Sequence, residues 1–261
     1  MGSNGKDRSR VPRLVLEVFL LCLVSIIGAC RSTHRTVLTF SVAASLQDSI
    51  TDVEAAYLRD HSVEFRNNFG ASGTLAREIE QGAPVDAFFS AGAKPMDQLQ
   101  SEDLLFVGSR VDLLRNALVL IAKAGSPLKG LDGLTSNSIR TIALGDPASV
   151  PAGQYGKQTL ENLRLYDKLK SKLVLGKDVR QVLTYVETGD ADAGLVYATD
   201  AQMSKRVQVV AVAPEQSHDP IVYPIASIKA AQHQPAVRDF IRFLSSPEAR
   251  AIFERHGFRM A

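Results

Sequence analysis

From Thr36 onward, short apolar runs alternate with segments whose apolar residues recur at helical spacing, which predicts strands and helices in turn. Residues 37–42 predict a strand, and the segment after them carries Leu46, Ile50, Val53 and Tyr57 on one helical face. Residues 63–69 predict a second strand, followed by a helix with Leu75, Ala76 and Ile79 on one side. Residues 86–90 predict a third, followed by a helix containing Met96 and Leu99. This order predicts an α/β chain with a parallel sheet and helices on both faces. The apolar run 113–122 is longer than a usual strand of about 5–6 residues and suits a strand that leaves one sheet for another. Strands follow at 141–144, 173–175, 194–197 and 207–212, and a second long run, 221–228, is expected to cross back. Two final helices fall at 235–244 and 247–256, with Pro247 suited to a first turn. Two crossover strands imply two lobes: residues 36–116 and 222–261 form lobe one, and 117–221 form lobe two. A ligand then belongs between the lobes, at the carboxyl ends of the parallel strands.

The first residues follow a different pattern. A basic stretch to Arg13 precedes an uncharged apolar run, 18–29, that ends in small residues, which reads as a secretion signal over residues 1–29. The run is shorter than the ~20 residues of a membrane span, and Glu17 just before it is atypical. Ile27-Gly28-Ala29-Cys30 resembles a bacterial lipobox, whose Cys becomes the lipid-modified first residue of a lipoprotein. The alternative is ordinary cleavage near Ala29 with an incidental Cys. Either way the mature chain keeps at most Cys30 and has no internal disulfide. The expected location is periplasmic or otherwise extracytoplasmic, tethered to a membrane only through that anchor. Across 261 residues, 45% hydrophobic and 22% charged, the net charge is +2, which gives no electrostatic case for a nucleic-acid partner.

Four strand ends lead into helix starts with small residues: Ser45, Ser72, Ala152 and Val179. A helix start carries unpaired N–H groups and partial positive charge, so it suits an anion. Each has a plainer alternative. Ser45-Leu46-Gln47-Asp48 fits a capping box, with the hydroxyl capping the helix and Asp48 reaching back. Ser72 lacks an acid three residues on, and Gly70 and Gly73 beside it let the backbone approach something closely. Ala152 follows Pro151, whose fixed φ suits a first turn. Val179 follows Asp178, a good N-cap. Tyr197 ends an apolar strand, and the plain alternative is a core Tyr with a satisfied hydroxyl. Their joint occurrence points to an anion held without reaction. Catalytic signals are weak: Gly70-Ala71-Ser72-Gly73-Thr74 nearly matches a nucleophile elbow, but Thr74 stands at the last Gly position. The histidines 34, 61, 218, 233 and 256 have no metal-like spacing, and no Walker loop or G-x-G-x-x-G is present.

Several of these segments resemble the periplasmic molybdate-binding family of bacterial ABC importers. They are Ala43-Ala44-Ser45-Leu46, Ser72-Gly73-Thr74-Leu75-Ala76-Arg77, Gly82-Ala83-Pro84-Val85-Asp86, Val150-Pro151-Ala152-Gly153, Asp178-Val179-Arg180 and Gly194-Leu195-Val196-Tyr197-Ala198-Thr199-Asp200, with Asp146-Pro147 ahead of the fourth. The resemblance implies a two-lobed type II periplasmic-binding fold and a monomeric, non-enzymatic receptor. It implies an oxyanion held by Ser45, Ser72, Ala152, Val179 and Tyr197, with no cofactor and no metal ligated by side chains. The ligand is then molybdate or tungstate, and the partner an ABC importer permease. Gly73 stands where some relatives have a third Ser. Molybdate, tungstate and sulfate are fully ionised dianions that only accept hydrogen bonds, so a donor-only site suits them. Hydrogen phosphate brings a proton that needs an acceptor. The alternatives are a receptor for sulfate or another tetrahedral oxyanion, and a serine hydrolase built on Ser72.

Overall fold

The computed structural model describes residues 1–2 and 35–261. The secretion signal and Cys30 lie outside the described residues. Thr36–Ala261 forms one compact unit holding two sheets.

The first sheet begins with β1 (Thr36–Ala43), β2 (Val63–Gly70) and β3 (Ala87–Phe89), all parallel, with β1 between the other two. Helices α1 (Gln47–Tyr57), α2 (Ser72–Glu80) and α3 (Ala93–Ser101) follow them in turn. The helical faces expected from the sequence are buried: Leu46, Ile50, Val53 and Tyr57 on one element, Leu75, Ala76 and Ile79 on the next, Met96 and Leu99 on the third. The run 113–122 does pass between sheets, but as two strands. β4 (Val111–Arg115) belongs to the first sheet and β5 (Leu118–Lys123) to the second, with Asn116-Ala117 as the joint. A polar residue there interrupts both ladders and lets the chain change direction.

The second sheet adds β6 (Ile142–Gly145), β7 (Leu173–Gly176), β8 (Ala193–Tyr197) and β9 (Val207–Val212), in the order β7-β6-β8-β5-β9. Between them run α4 (Pro151–Asn162), a short α5 (Tyr166–Leu169), α6 (Val179–Thr188) and α7 (Ala198–Gln202). The return crossing lies in residues 213–221. The run 221–228 does not itself cross, because β10 (Val222–Ser227) lies wholly in the first sheet, antiparallel to β3 and β4. Two terminal helices, α8 (Gln234–Leu244) and α9 (Pro247–Arg255), precede a short β11 (Arg259–Met260) on β4, giving the first sheet the order β11-β4-β10-β3-β1-β2. Sequence periodicity gave no sign of β11, which is two residues long.

Register places the site. β1 and β2 pair from Thr36–Val63 to Ala43–Gly70, so both strands end side by side. β6 and β7 pair from Ile142–Leu173 to Gly145–Gly176, with the same result in the second sheet. The chain turns into a helix just past each of these four ends.

Candidate oxyanion site

A small, tightly closed cavity of about 10 Å³ lies where the helix starts meet, and Ser45, Ser72, Ala152, Val179 and Tyr197 all line it. Each exposes 4% of its surface or less. Ser45 and Ser72 come from the first sheet's strand ends, and Ala152, Val179 and Tyr197 from the second sheet. Ala43, Ala71, Ala91 and Val150 add apolar wall, and Asp178 is the one charged residue among the described lining. No Lys, Arg or His lines the cavity among the described residues. A groove of about 700 Å³ along Val37, Ile79, Pro84 and His233 is larger, but its lining is in part solvent-exposed and it gathers no helix starts from the second sheet.

Ser45 departs from the capping expectation. It sits in a short 3-10 turn, Ala44–Leu46, ahead of α1, and its hydroxyl caps no helix N–H. Its Oγ instead lies 3.1 Å from the Tyr223 hydroxyl. Asp48 does not reach back either, because its Oδ2 accepts from Arg180 Nη2 at 2.6 Å. A strong cation across the cleft outcompetes a local backbone N–H for this carboxylate.

Ser72 is the first residue of α2, and its Oγ accepts from the Ala91 N–H at 2.9 Å. With that lone pair engaged, its proton is left for the cavity. Among the described residues no His hydrogen-bonds this hydroxyl: His61 stacks on Tyr57 and faces Asp239, and His256 meets Asp52. Gly73 donates its N–H to Ser149 O at 2.9 Å, across to the second sheet's loop. A Cβ on Gly73 would sit 2.7 Å from that oxygen, so only Gly permits this approach.

Pro151 opens α4, and Gly153 in its first turn lies against β6. A Cβ on Gly153 would come within 1.9 Å of the Gly145 carbonyl oxygen, so the missing side chain lets the helix start sit directly over the strand end. On α6, Asp178 is the expected N-cap, its Oδ1 accepting from Gln181 N at 2.8 Å. Asp178 borders the cavity, yet this bond turns its carboxylate toward its own helix. The N–H groups of Ser72, Ala152 and Val179 take no protein acceptor among the described residues, as first-turn amides facing a ligand would.

The Tyr197 hydroxyl donates to Ala91 O at 2.8 Å, a contact between the two sheets. Its one proton must leave that carbonyl to serve an anion. Burial pushes the Tyr197 and Tyr223 phenols well above their ordinary range, so both stay protonated. Asp200, fully buried behind the site, titrates near 6 because burial raises it more than the neighbouring Arg180 lowers it. Arg180 Nε approaches Asp200 Oδ1 to 2.9 Å, without the alignment of a hydrogen bond. One guanidinium thus joins Asp48 on the first sheet's side to Asp200 on the second's.

Sequence reasoning missed Ala91, Asn116 and Tyr223. Asn116 had a signal, as the polar residue inside an apolar run. Tyr223 looked like any strand aromatic, and Ala91 carries no side-chain signal at all.

Comparison with known proteins places this architecture. Residues 38–259 match the family described as bacterial extracellular solute-binding protein. The molybdate-binding protein ModA of Haemophilus influenzae is 40% identical over 226 residues, covering 84% of this chain and 89% of that one. The Bacillus subtilis protein YvgL, provisionally named as an ABC transporter substrate-binding lipoprotein, is 43% identical over 230 residues, covering 87% and 88%. The solved periplasmic molybdate-binding protein of Azotobacter vinelandii superposes with a TM-score of 0.78 at 25% identity, covering 86% of this chain and 99% of that one. The chain belongs to the bacterial extracellular solute-binding proteins, among relatives of the molybdate-binding ModA type, and these are non-catalytic receptors that work outside the cytoplasm.

Proposed function

We propose that this chain captures molybdate, and tungstate with it, in the cavity between its two sheets and delivers it to an ABC importer permease. The observation that carries the reading is a buried cavity lined by two Ser hydroxyls, a Tyr hydroxyl and three free helix-start N–H groups, with no cationic side chain. The ligand is held by Ser45, Ser72, Ala152, Val179 and Tyr197. Its charge is balanced by oriented dipoles rather than by ion pairs. Charge-assisted bonds contribute about 1.5–3 kcal/mol each, so five to seven of them support binding near −8 kcal/mol after desolvation and ordering costs. The names of the ModA relatives favour molybdate over sulfate as the natural load.

Residues 36–116 and 222–261 act as one lobe and 117–221 as the other, hinged at the crossings, and the receptor works as a monomer. Lipid attachment at Cys30 tethers it, a reading supported by the Ile27-Gly28-Ala29-Cys30 sequence and by the name of the Bacillus relative. The mass of the mature N-terminus checks that point. The functional test is calorimetric titration of the mature protein with molybdate, tungstate, sulfate and phosphate. Micromolar or tighter binding of molybdate and tungstate is expected, with phosphate weakest. Equal affinity for molybdate and phosphate would defeat the donor-only reading.

A further inference from the structure

The bonds behind Ser45 fix which way its proton points. Asn116 is buried in the joint between β4 and β5, and its Oδ1 accepts from the Ala117 N–H at 2.9 Å. Only the amide's oxygen can meet an N–H, so the side chain cannot flip, and Nδ2 faces the other way. There it donates to Thr199 Oγ1 at 2.9 Å and to the Tyr223 hydroxyl at 3.1 Å. Tyr223 is fully buried and has one proton of its own. Either hydroxyl could donate in the 3.1 Å contact between Tyr223 and Ser45 Oγ; with Asn116 already donating to Tyr223, the inferred order has Tyr223 give its proton to Ser45. Ser45 then accepts on its protein side, and its own hydrogen has only the cavity to address.

We propose that Asn116 and Tyr223 form a polarity relay that makes Ser45 an obligate donor and so tunes the cavity to tetrahedral dianions that carry no proton. The proposal rests on the oxyanion reading above and names the residues that set its selectivity. Neither residue lines the cavity; both act through Ser45 as positioning residues. Ser72 is polarised in the same sense by the Ala91 N–H, so both serine protons are left for the cavity. Hydrogen phosphate then meets donors where its own proton needs an acceptor, and leaving that proton unpaired is costly. The relay starts at the joint between the sheets, so the same residue that turns the chain also orients the site.

The test compares molybdate with inorganic phosphate at mildly alkaline pH, where phosphate is mostly a dianion bearing one proton. Dissociation constants are measured for the wild type, Tyr223→Phe and Asn116→Asp. In Tyr223→Phe, Ser45 is free to turn and accept, so the preference for molybdate over phosphate should narrow about tenfold. Asn116→Asp keeps the shape but reverses the chain: the new carboxylate takes the Tyr223 proton, Tyr223 takes that of Ser45, and Ser45 shows a lone pair to the cavity. The preference should narrow further, with the loss falling on molybdate. Apo melting temperatures show which variants are folded, and either folded variant suffices. A variant that weakens both ions by the same factor, or keeps the wild-type preference, overturns the relay alone. A wild type that binds no tetrahedral dianion overturns the oxyanion reading, and the relay with it.

Discussion

At the scale of single residues, the two hydroxyls that differ most are Ser45 and Tyr197. Ser45 meets only another hydroxyl, that of Tyr223, and on the relay proposed above its own proton is left for the cavity, whereas Tyr197 gives its proton to Ala91 O. Ser45→Ala should therefore weaken molybdate binding by the full worth of a charge-assisted bond, about 1.5–3 kcal/mol. Tyr197→Phe exchanges one acceptor for another and should weaken binding by about 0.5–1.5 kcal/mol. Titration of the two variants checks the order, and an equal or larger loss for Tyr197→Phe would contradict it. Because Ser45 caps no helix, its removal should leave α1 intact by circular dichroism. The meeting of these five residues at one cavity was legible because each sits at a strand-to-helix turn, where small size, a hydroxyl or a preceding Pro or Asp leaves a local trace. Tyr223 and Asn116 left little trace, since their roles depend on partners 178 and 107 residues away along the chain.

Among the elements, the close approach of α2 to the loop before α4 decides how tightly the sheets can come together. A methyl group on Gly73 would press on the Ser149 backbone at 2.7 Å from its oxygen and 3.0 Å from its Cα. On the hinged reading proposed above the unliganded cleft opens and separates these atoms, and Ala suits a helix better than Gly, so Gly73→Ala should leave the unliganded protein as stable as the wild type. It should weaken molybdate binding, with the strain of overpacking at about 1–3 kcal/mol. Small-angle scattering should then show a larger liganded radius of gyration than the wild type. Identical affinity and radius would mean that the loop gives way. Strand and helix placement was readable from periodicity nearly throughout. The exceptions were elements too short to show a period, such as β11 and α5, and the junctions: the split at Asn116-Ala117 and the crossing at 213–221.

For the whole molecule, two buried carboxyls set an unusual pH response. Glu54 titrates near 7, raised by burial against the opposing bond from Asn67, and Asp200 near 6. Their ordinary values are 4.5 and 3.8, so between those values and neutrality the folded chain holds more protons than the unfolded chain. Stability from these two groups is therefore greatest in mild acid and falls as pH rises toward 7. Asn67 Nδ2 reaches both Glu54 oxygens, at 2.9 and 3.0 Å, so one bond survives in Glu54→Gln. That variant removes a charge whose burial costs on the order of 3 kcal/mol above neutrality. Its melting temperature should exceed the wild type by roughly 6–12 °C at mildly alkaline pH, with little difference near pH 4. A uniform shift across pH would assign the effect to packing instead.

Contacts from Gly73 to Ser149, from Tyr197 to Ala91 and from Arg180 to Asp48 all span the two sheets and surround one cavity. On the reading proposed above, an ion enclosed there is released when these contacts part. Its dwell time is then the waiting time of a mechanical opening rather than a sum over its own bonds. Unloading becomes an act of prising: a permease that pulls the halves apart need not compete for the cargo at all.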